Sequence, residues 1–360
     1  MYCTAFGLGF GHASRMVGLG RELCRIGLEP VFSSFGEGRK MLTREFPDAP
    51  VYGLPKMELF SEDGSFDLFL LLRRHPDLPL RFYAGVEADR RVIRRHGCKV
   101  VVSDCQFHAL VAAQVMGIPA IVISNMLRIP GEGSLVRLIN GTLRRMFELA
   151  DIVLIPDTYD DTYDVPEIDT EVVWVGPILK RRPDELPPRD AIRRKYGIPD
   201  DATVVLVTAG GSKYSRQIVR VAVEGLNLLS KSIDVFPVIV SEERVGGGLG
   251  LQLRYVNNLL ELIKVSNVVV THGGHTTLSE CACLRTPVVS VPLPNHPEQH
   301  VNAERVLQRG LGVAVPPEEL SSERIAKAIE QAIDWKVPKI RMMDGRGAER
   351  AARIVAGMLD

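Results

Sequence analysis

The chain has 360 residues, enough for two domains rather than one. Apolar residues make up 46% and charged residues 24%, so a core forms without disulfide or metal staples. The 44 basic residues balance 44 acidic ones, which removes any global field for nucleic acid, and no apolar run approaches the roughly 18–20 residues of a membrane span. No signal-peptide pattern precedes the first glycine cluster, which points to a cytoplasmic chain. Its six cysteines, Cys3, Cys24, Cys98, Cys105, Cys281 and Cys283, form no CxxC pair and read as reduced core residues. A zinc site on Cys281 and Cys283 is disfavoured, because i,i+2 on a helix sends the two thiols to different faces.

In chain order, strands are predicted at Tyr2–Ala5, Pro30–Ser33, Val100–Ser103, Ala120–Ser124, Ile152–Ile155 and Val172–Val175, with helices at His12–Ile26, Phe107–Met116 and Leu135–Leu149. Residues 176–199 hold Pro177, Pro183, Pro187 and Pro188 among charges, which suits a linker. Strands then follow at Val204–Thr208, Phe236–Val240, Val268–Thr271, Val288–Val291 and Val313–Val315, with helices at Ser215–Ser230, Thr276–Leu284, His300–Arg309 and Glu323–Ile333. Many of these strands are continuously apolar, as in parallel sheets buried on both faces. The alternation predicts an α/β chain of two Rossmann-like, doubly wound domains facing across a cleft. The boundaries are 1–178, a linker at 179–199, a second domain at 200–335 and a tail at 336–360 that ends in a helix, Gly347–Met358.

Three glycine clusters follow strands. The first is Gly7-Leu8-Gly9-Phe10-Gly11-His12, where a strand turns into a helix. Helix-terminal amides attract anions there. The spacing is not GxGxxG and no acidic residue ends the next strand, so a dehydrogenase is disfavoured. His12 at a helix start is expected to have a lowered pKa, because the dipole opposes its cation; neutral imidazole is a general base. The second cluster is Thr208-Ala209-Gly210-Gly211-Ser212, which a plain turn would also explain.

The third, Thr271-His272-Gly273-Gly274-His275-Thr276-Thr277-Leu278-Ser279-Glu280, is the most specific. Gly273, Gly274 and the amides of Thr276 and Thr277 suit a diphosphate, and His272 can donate to a phosphate oxygen. Glu280, a turn into the helix, suits ribose hydroxyls, although a carboxylate there also simply stabilises a helix. Downstream, Pro292-Leu293-Pro294-Asn295-His296-Pro297-Glu298-Gln299-His300-Val301-Asn302-Ala303 sets a carboxylate beside an amide, a pairing suited to sugar hydroxyls. Asp104 ends a strand at the carboxyl edge, where it orients His12, acts as a base itself or caps the next helix. Asn125 follows the neighbouring strand.

On these residues the segment Val268–Val315 resembles the nucleotide-sugar region of two-domain (GT-B) glycosyltransferases. It is similar to the bacterial lipid-linked N-acetylglucosaminyltransferases of the peptidoglycan precursor, to their archaeal relatives and to the plant UDP-glycosyltransferase signature. The Gly-x-Gly-x-Gly-His start and the Ala-Gly-Gly-Ser loop match as well. The resemblance implies that His272, Gly273, Gly274, Thr276 and Thr277 hold the diphosphate, Glu280 the ribose, and Glu298 and Gln299 the donor sugar. Gly210, Gly211 and Ser212 would approach the phosphates, and uracil would pack near Tyr255 and Val256. His12 would face the acceptor from the first domain, with Gly9, Gly11 and Asn125 on the same side. It further implies inversion at the anomeric carbon and a UDP-sugar co-substrate with no bound metal or other cofactor, amides and helix dipoles standing in for the cation. His272 would help neutralise the departing diphosphate. The peptidoglycan enzymes carry two adjacent glutamines where this chain has Glu298-Gln299, which leaves N-acetylglucosamine and other hexoses open as donor sugar.

The first domain is the expected acceptor side. From Gly64 to Ala150 there are 12 Arg/Lys and 7 Asp/Glu, a surplus of 12 − 7 = +5, whereas Asp151–Glu171 holds eight acids and no base. The run from Phe66 to Arg74, with Leu135–Ile139 and Leu143–Phe147, sets apolar side chains beside cations. That mixture suits contact with an anionic membrane and a lipid-linked acceptor, and equally a core helix with a solvated basic face. A UDP-sugar 2-epimerase on the same fold, and a non-catalytic nucleotide-sugar-binding subunit, are the rival readings.

Overall fold

A computed structural model describes residues 1–56, 73, 75–160, 163, 165–210, 213–246 and 250–359, with only the backbone of Lys213. The chain forms two compact units. The first takes the residues up to Lys180 outside the undescribed stretches, together with Asp344–Asp360; the second takes Arg181–Met343.

In the first unit the strands are β1 (Tyr2–Ala5), β2 (Val31–Ser34), β3 (Val51–Gly53), β4 (Val101–Asp104), β5 (Ala120–Ile123), β6 (Ile152–Ile155) and β7 (Glu171–Trp174). They form one sheet in the order β3-β2-β1-β4-β5-β6-β7, and every pair is parallel. The helices are α1 (Gly11–Arg25), α2 (Gly36–Glu45), α3 (Leu78–His96), α4 (Phe107–Met116) and α5 (Ser134–Phe147). Alternation sends Cys3, Ala5 and Val102 to one core and Tyr2 and Val101 to the other, on opposite faces of the sheet. That is why the strands read as unbroken apolar runs: both faces are covered. Each fully buried valine or isoleucine contributes about 1.5–3 kcal/mol.

Polar groups enter the second of these cores as a network. Tyr2 donates to Asp89 and lies 2.5 Å from Ser33 Oγ, while His108 Nδ1 lies 2.5 Å from Asp89. These side chains tie β1 and β2 to α3 and α4.

In the second unit the strands are β8 (Thr203–Thr208), β9 (Val235–Val240), β10 (Leu251–Leu253), β11 (Val268–Thr271), β12 (Val288–Ser290) and β13 (Gly312–Ala314). Their order is β10-β9-β8-β11-β12-β13, again all parallel. Counted within the unit this is the 3-2-1-4-5-6 order of the doubly wound fold. The helices are α6 (Arg189–Tyr196), α7 (Lys213–Leu229), α8 (Leu259–Val265), α9 (His275–Leu284), α10 (Pro297–Gln308) and α11 (Ser322–Ile333). A last helix, α12 (Gly347–Gly357), returns to the first unit and packs on α1 through Ala348, Ala351, Ala352 and Val355. Gly347 lies so near Gly176 that a Cβ there would meet its carbonyl oxygen at 2.1 Å.

The structure differs from expectation in three places. Residues 176–199 are not a bare connector: a 3-10 turn at Pro183–Glu185 and α6 form within them, and Ile192 and Ile198 join a core of the second unit. The short strands β3 and β10 had no legible pattern, being three-residue edge strands. The cysteines are all free, but only Cys3, Cys98 and Cys281 are buried; Cys24 is exposed, and Cys105 and Cys283 are half-buried. No helix among the described residues is long and apolar enough to cross a membrane.

Candidate active site

In each unit the strand order reverses direction beside the first strand, and the loops leaving the carboxyl ends there open a crevice. In the first unit that point lies between β1 and β4, where Ala5 and Asp104 are register partners. The β1–α1 loop carries Gly7 to Phe10, and α1 begins with no side-chain cap. Its first-turn N–H groups are therefore open to a polar ligand. Gly9 is exposed and Gly11 half-buried beside it.

His12 stands in the first turn of α1. Its Nδ1 lies 2.7 Å from Asp104 Oδ1, and its side chain keeps 26% exposure while Asp104 has none. The Phe6 ring meets the imidazole edge-on at 5.7 Å. Arg15, one turn further along, closes a three-membered cluster. Its Nε donates to Asp104 Oδ2 at 2.9 Å and its Nη2 to Oδ1 at 2.8 Å. Burial opposes ionisation of Asp104, but Arg15 first and then His12 hold its carboxyl below the usual range. Asp104 has no exposure, its oxygens are engaged by Arg15 and His12, and α4 has no side-chain cap from it.

The expected charge of His12 is corrected by this geometry. Burial disfavours the imidazolium, but the Asp104 carboxylate and its hydrogen bond outweigh that, with a smaller contribution from Cys105, and raise His12 to about 9. A buried carboxylate in direct contact overrides the partial positive charge of a helix end. His12, Asp104 and Cys105 place ligand atoms within 4.8 Å of one another, the spacing a metal ion would need. A cation there would share Asp104 with the buried Arg15 guanidinium, whose positive charge opposes it, so the set fits a metal poorly. Cys105 holds φ +56, a left-handed conformation at the strand end. Asn125 follows β5 and is buried, its carbonyl accepting from Tyr163 Oη at 2.5 Å.

In the second unit the reversal lies between β8 and β11, where Thr208 and Thr271 are partners. The two following loops meet: a Cβ on Gly210 would lie 3.6 Å from His272 Cε1. Gly211 and Ser212 lie outside the described residues. Gly273 adopts φ +81, and a Cβ there would meet Ser290 Oγ at 2.7 Å. Only glycine takes this conformation at this distance from β12 without strain. Gly274 is the N-cap of α9, which has no side-chain cap among the described residues, and a helix start of this kind is where anions bind.

His272 is neutral here. Burial pulls it down, His296 acts in the same direction and Glu298 against it, giving about 4. In the ligand-free protein it is uncharged and can donate one hydrogen bond to a phosphate oxygen. Its Nδ1 has no hydrogen-bond partner among the described residues, nor do the Thr271 and Ser290 hydroxyls beside it. Glu280 is buried within α9, and Glu298 is half-buried in the first turn of α10.

Gln299 is buried, and its Oε1 accepts the Leu293 N–H at 2.9 Å. That hydrogen bond helps to shape the proline loop. Tyr255 is exposed and Val256 half-buried just past the end of β10, on the same carboxyl edge.

Two site residues escaped the sequence reading. Asn302 is buried and its Nδ2 donates to the Gly273 carbonyl at 3.0 Å, fixing the cradle. Arg15 clamps Asp104. Each carried a faint signal, Asn302 in the Asn-Ala step after Gln299 and Arg15 one turn from His12, on the same helix face.

Comparison with known proteins bears on the family and the fold. The glycosyltransferase family 28 C-terminal domain matches residues 204–356. Over 344 residues the chain is 93% identical to an "Uncharacterized glycosyltransferase" of Methanopyrus kandleri, covering 96% of this chain and 100% of that one. It is 29% identical over 152 residues to the UDP-N-acetylglucosamine--N-acetylmuramyl-(pentapeptide) pyrophosphoryl-undecaprenol N-acetylglucosamine transferase of Exiguobacterium sibiricum, spanning 39% of this chain and 42% of the relative. The crystal structure of a calicheamicin glycosyltransferase matches the fold with a TM-score of 0.69 at 18% identity, over 99% of this chain and 98% of the other. Two parallel-sheet α/β units of Rossmann type, a family 28 C-terminal domain and a near-identical relative together establish that the chain belongs to the glycosyltransferases, as an enzyme of the GT-B type.

Proposed function

We propose that the enzyme moves a hexose, N-acetylglucosamine or a close analogue, from a UDP-sugar to an acceptor hydroxyl, with inversion and without a bound metal. The observation that carries this reading is the glycine cradle of the second unit. Gly273 is pinned by Asn302 and followed by the uncapped start of α9, with Gly210 beside His272. Oriented amides of this kind stabilise a departing diphosphate without a cation. UDP-N-acetylglucosamine is named as donor in the Exiguobacterium relative, whose matched segment contributes to the resemblance.

The acceptor oxygen attacks the anomeric carbon as the bond from that carbon to the diphosphate oxygen breaks, and UDP leaves. His12, held by Asp104, takes the acceptor proton. Since His12 is raised to about 9, its base form is the minor one at neutral pH and increases as pH rises. A lipid-linked acceptor at an anionic membrane surface fits α5, which buries only Phe147. It leaves Leu135 and Leu138 exposed beside Arg137 and Arg145. Of the Phe66–Arg74 run, all but Arg73 lie outside the described residues.

The test is calorimetric titration of the full chain with UDP and UDP-N-acetylglucosamine, with and without Mg²⁺, on the parent protein and Glu280→Ala. Metal-free binding, weakened tenfold or more by Glu280→Ala, is the expected result. Absence of binding by UDP and its sugars would overturn the donor assignment. Turnover of the UDP-sugar to its epimer without an acceptor would replace transfer by epimerisation.

A further inference from the structure

We propose that Arg15 is a positioning residue of the transfer reaction: its guanidinium clamps Asp104 and stands against His12, so that the imidazole releases its proton more readily than beside an aspartate alone. The geometry is a closed triangle. His12 Nδ1, Asp104 Oδ1 and Arg15 Nη2 lie 2.7, 2.8 and 2.9 Å apart around its three edges. A fourth contact, Arg15 Nε to Asp104 Oδ2 at 2.9 Å, makes the clamp bidentate and fixes the carboxylate plane. Arg15 is itself buried, with 3% side-chain exposure, so solvent does little to screen it.

The charge balance follows. With neutral His12 the triangle carries one positive and one negative charge, and protonating the imidazole leaves a net positive cluster in a buried place. Without Arg15 the same step would instead cancel a lone negative charge. The groups facing His12 among the described residues are Asp104 and Cys105 from the end of β4, Arg15 from its own helix and the uncharged Phe6 ring from the β1 loop. Arg15 is the cation of that set. A positive charge at 2.9 Å changes proton affinity by roughly tenfold even with water-like screening, and by more where solvent is excluded. Lysine would keep the charge but lose the planar fork that holds both oxygens.

This inference rests on the reading of His12 as base only for its consequence in catalysis; the effect on proton affinity stands apart from it. The experiment is a histidine-selective ¹³C–¹H NMR titration of the full chain from pH 6 to 10, with His12 identified by its loss in His12→Gln. Arg15→Gln is expected to raise the His12 midpoint by about one pH unit, tenfold in proton affinity, and Arg15→Lys by less than half of that. A folded Arg15→Gln protein whose His12 midpoint stays within about 0.2 pH units of the parent would overturn the proposal.

Should Arg15→Gln fail to fold, the parent protein decides. Its Arg15 Nε–H resonance, identified by its loss in Arg15→Lys, must move with the same midpoint as His12, because coupling between two groups is reciprocal. A resonance that holds its position through that transition overturns the proposal. Failure of the parent to bind UDP would sink the donor assignment and leave these titrations unaffected, so the two readings fail separately.

Discussion

Gly273→Ala tests the cradle at its tightest point. The backbone there has φ +81, and an alanine in the left-handed region loses about 1–2 kcal/mol. Its Cβ would also stand 2.7 Å from Ser290 Oγ, and Ser290 has no exposure through which to swing aside. Forcing a methyl into such a packed place adds about 1–3 kcal/mol. The expected total is about 2–5 kcal/mol of unfolding free energy. Gly9→Ala is the matched control: φ is +68, but nothing lies within 4 Å of its Cβ, so only the conformational part applies. Part of the Gly273→Ala strain is relieved by displacing the His272–Gly274 loop, which should weaken UDP at least tenfold, about 1.4 kcal/mol. Urea unfolding of both variants and calorimetric UDP titration measure the two effects. Equal destabilisation of Gly273→Ala and Gly9→Ala, with UDP affinity unchanged in both, would refute the argument.

Asp104→Asn should destabilise the enzyme by about 3–5 kcal/mol, since it removes the carboxylate paired with the buried Arg15 cation, and should return the His12 midpoint toward the ordinary histidine range. His12 holds its proton to about 9 when folded against 6.5 when unfolded, so its stabilisation is complete below pH 6.5 and lost as pH rises through 9. The difference, 9 − 6.5 = 2.5, corresponds to about 3 kcal/mol, and denaturation across pH 6–10 in parent and Asp104→Asn proteins should show that slope only in the parent. His272 has the opposite sign: with about 4 folded and 6.5 unfolded, stability falls as pH drops from 6.5 toward 4. His272→Gln should flatten that acid limb, and an unchanged limb would mean that His272 is not the group titrating there. Leu138, 67% exposed on α5, should when changed to glutamate reduce sedimentation with anionic vesicles several-fold while leaving UDP binding intact; undiminished sedimentation would remove α5 from membrane contact.

Much of the architecture was legible because it depends on short-range pattern. Runs such as Val268–Thr271 are apolar on both faces, which only a sheet covered on both sides accommodates, and the glycine-rich turns that follow mark the carboxyl edges where ligands bind. The second cluster was weak as a string of residues and became informative once Gly210 was found against His272. The edge strands β3 and β10 were not legible, since three residues show no period. The folded turn and helix within 176–199 were hidden by prolines, which open elements as readily as they separate them.

What the sequence alone determined was the kind of element at each position and the places where glycines let a backbone come close. What only tertiary structure decided was charge and register. Pairing of β1 with β4 brings Asp104 to the start of α1, where its carboxylate reverses the expected charge of His12 and meets Arg15. Burial beside His296 leaves His272 neutral, and α10 carries Asn302 to the Gly273 carbonyl. Coulomb energy and desolvation depend on distances between residues far apart in the chain, and local periodicity carries no record of them.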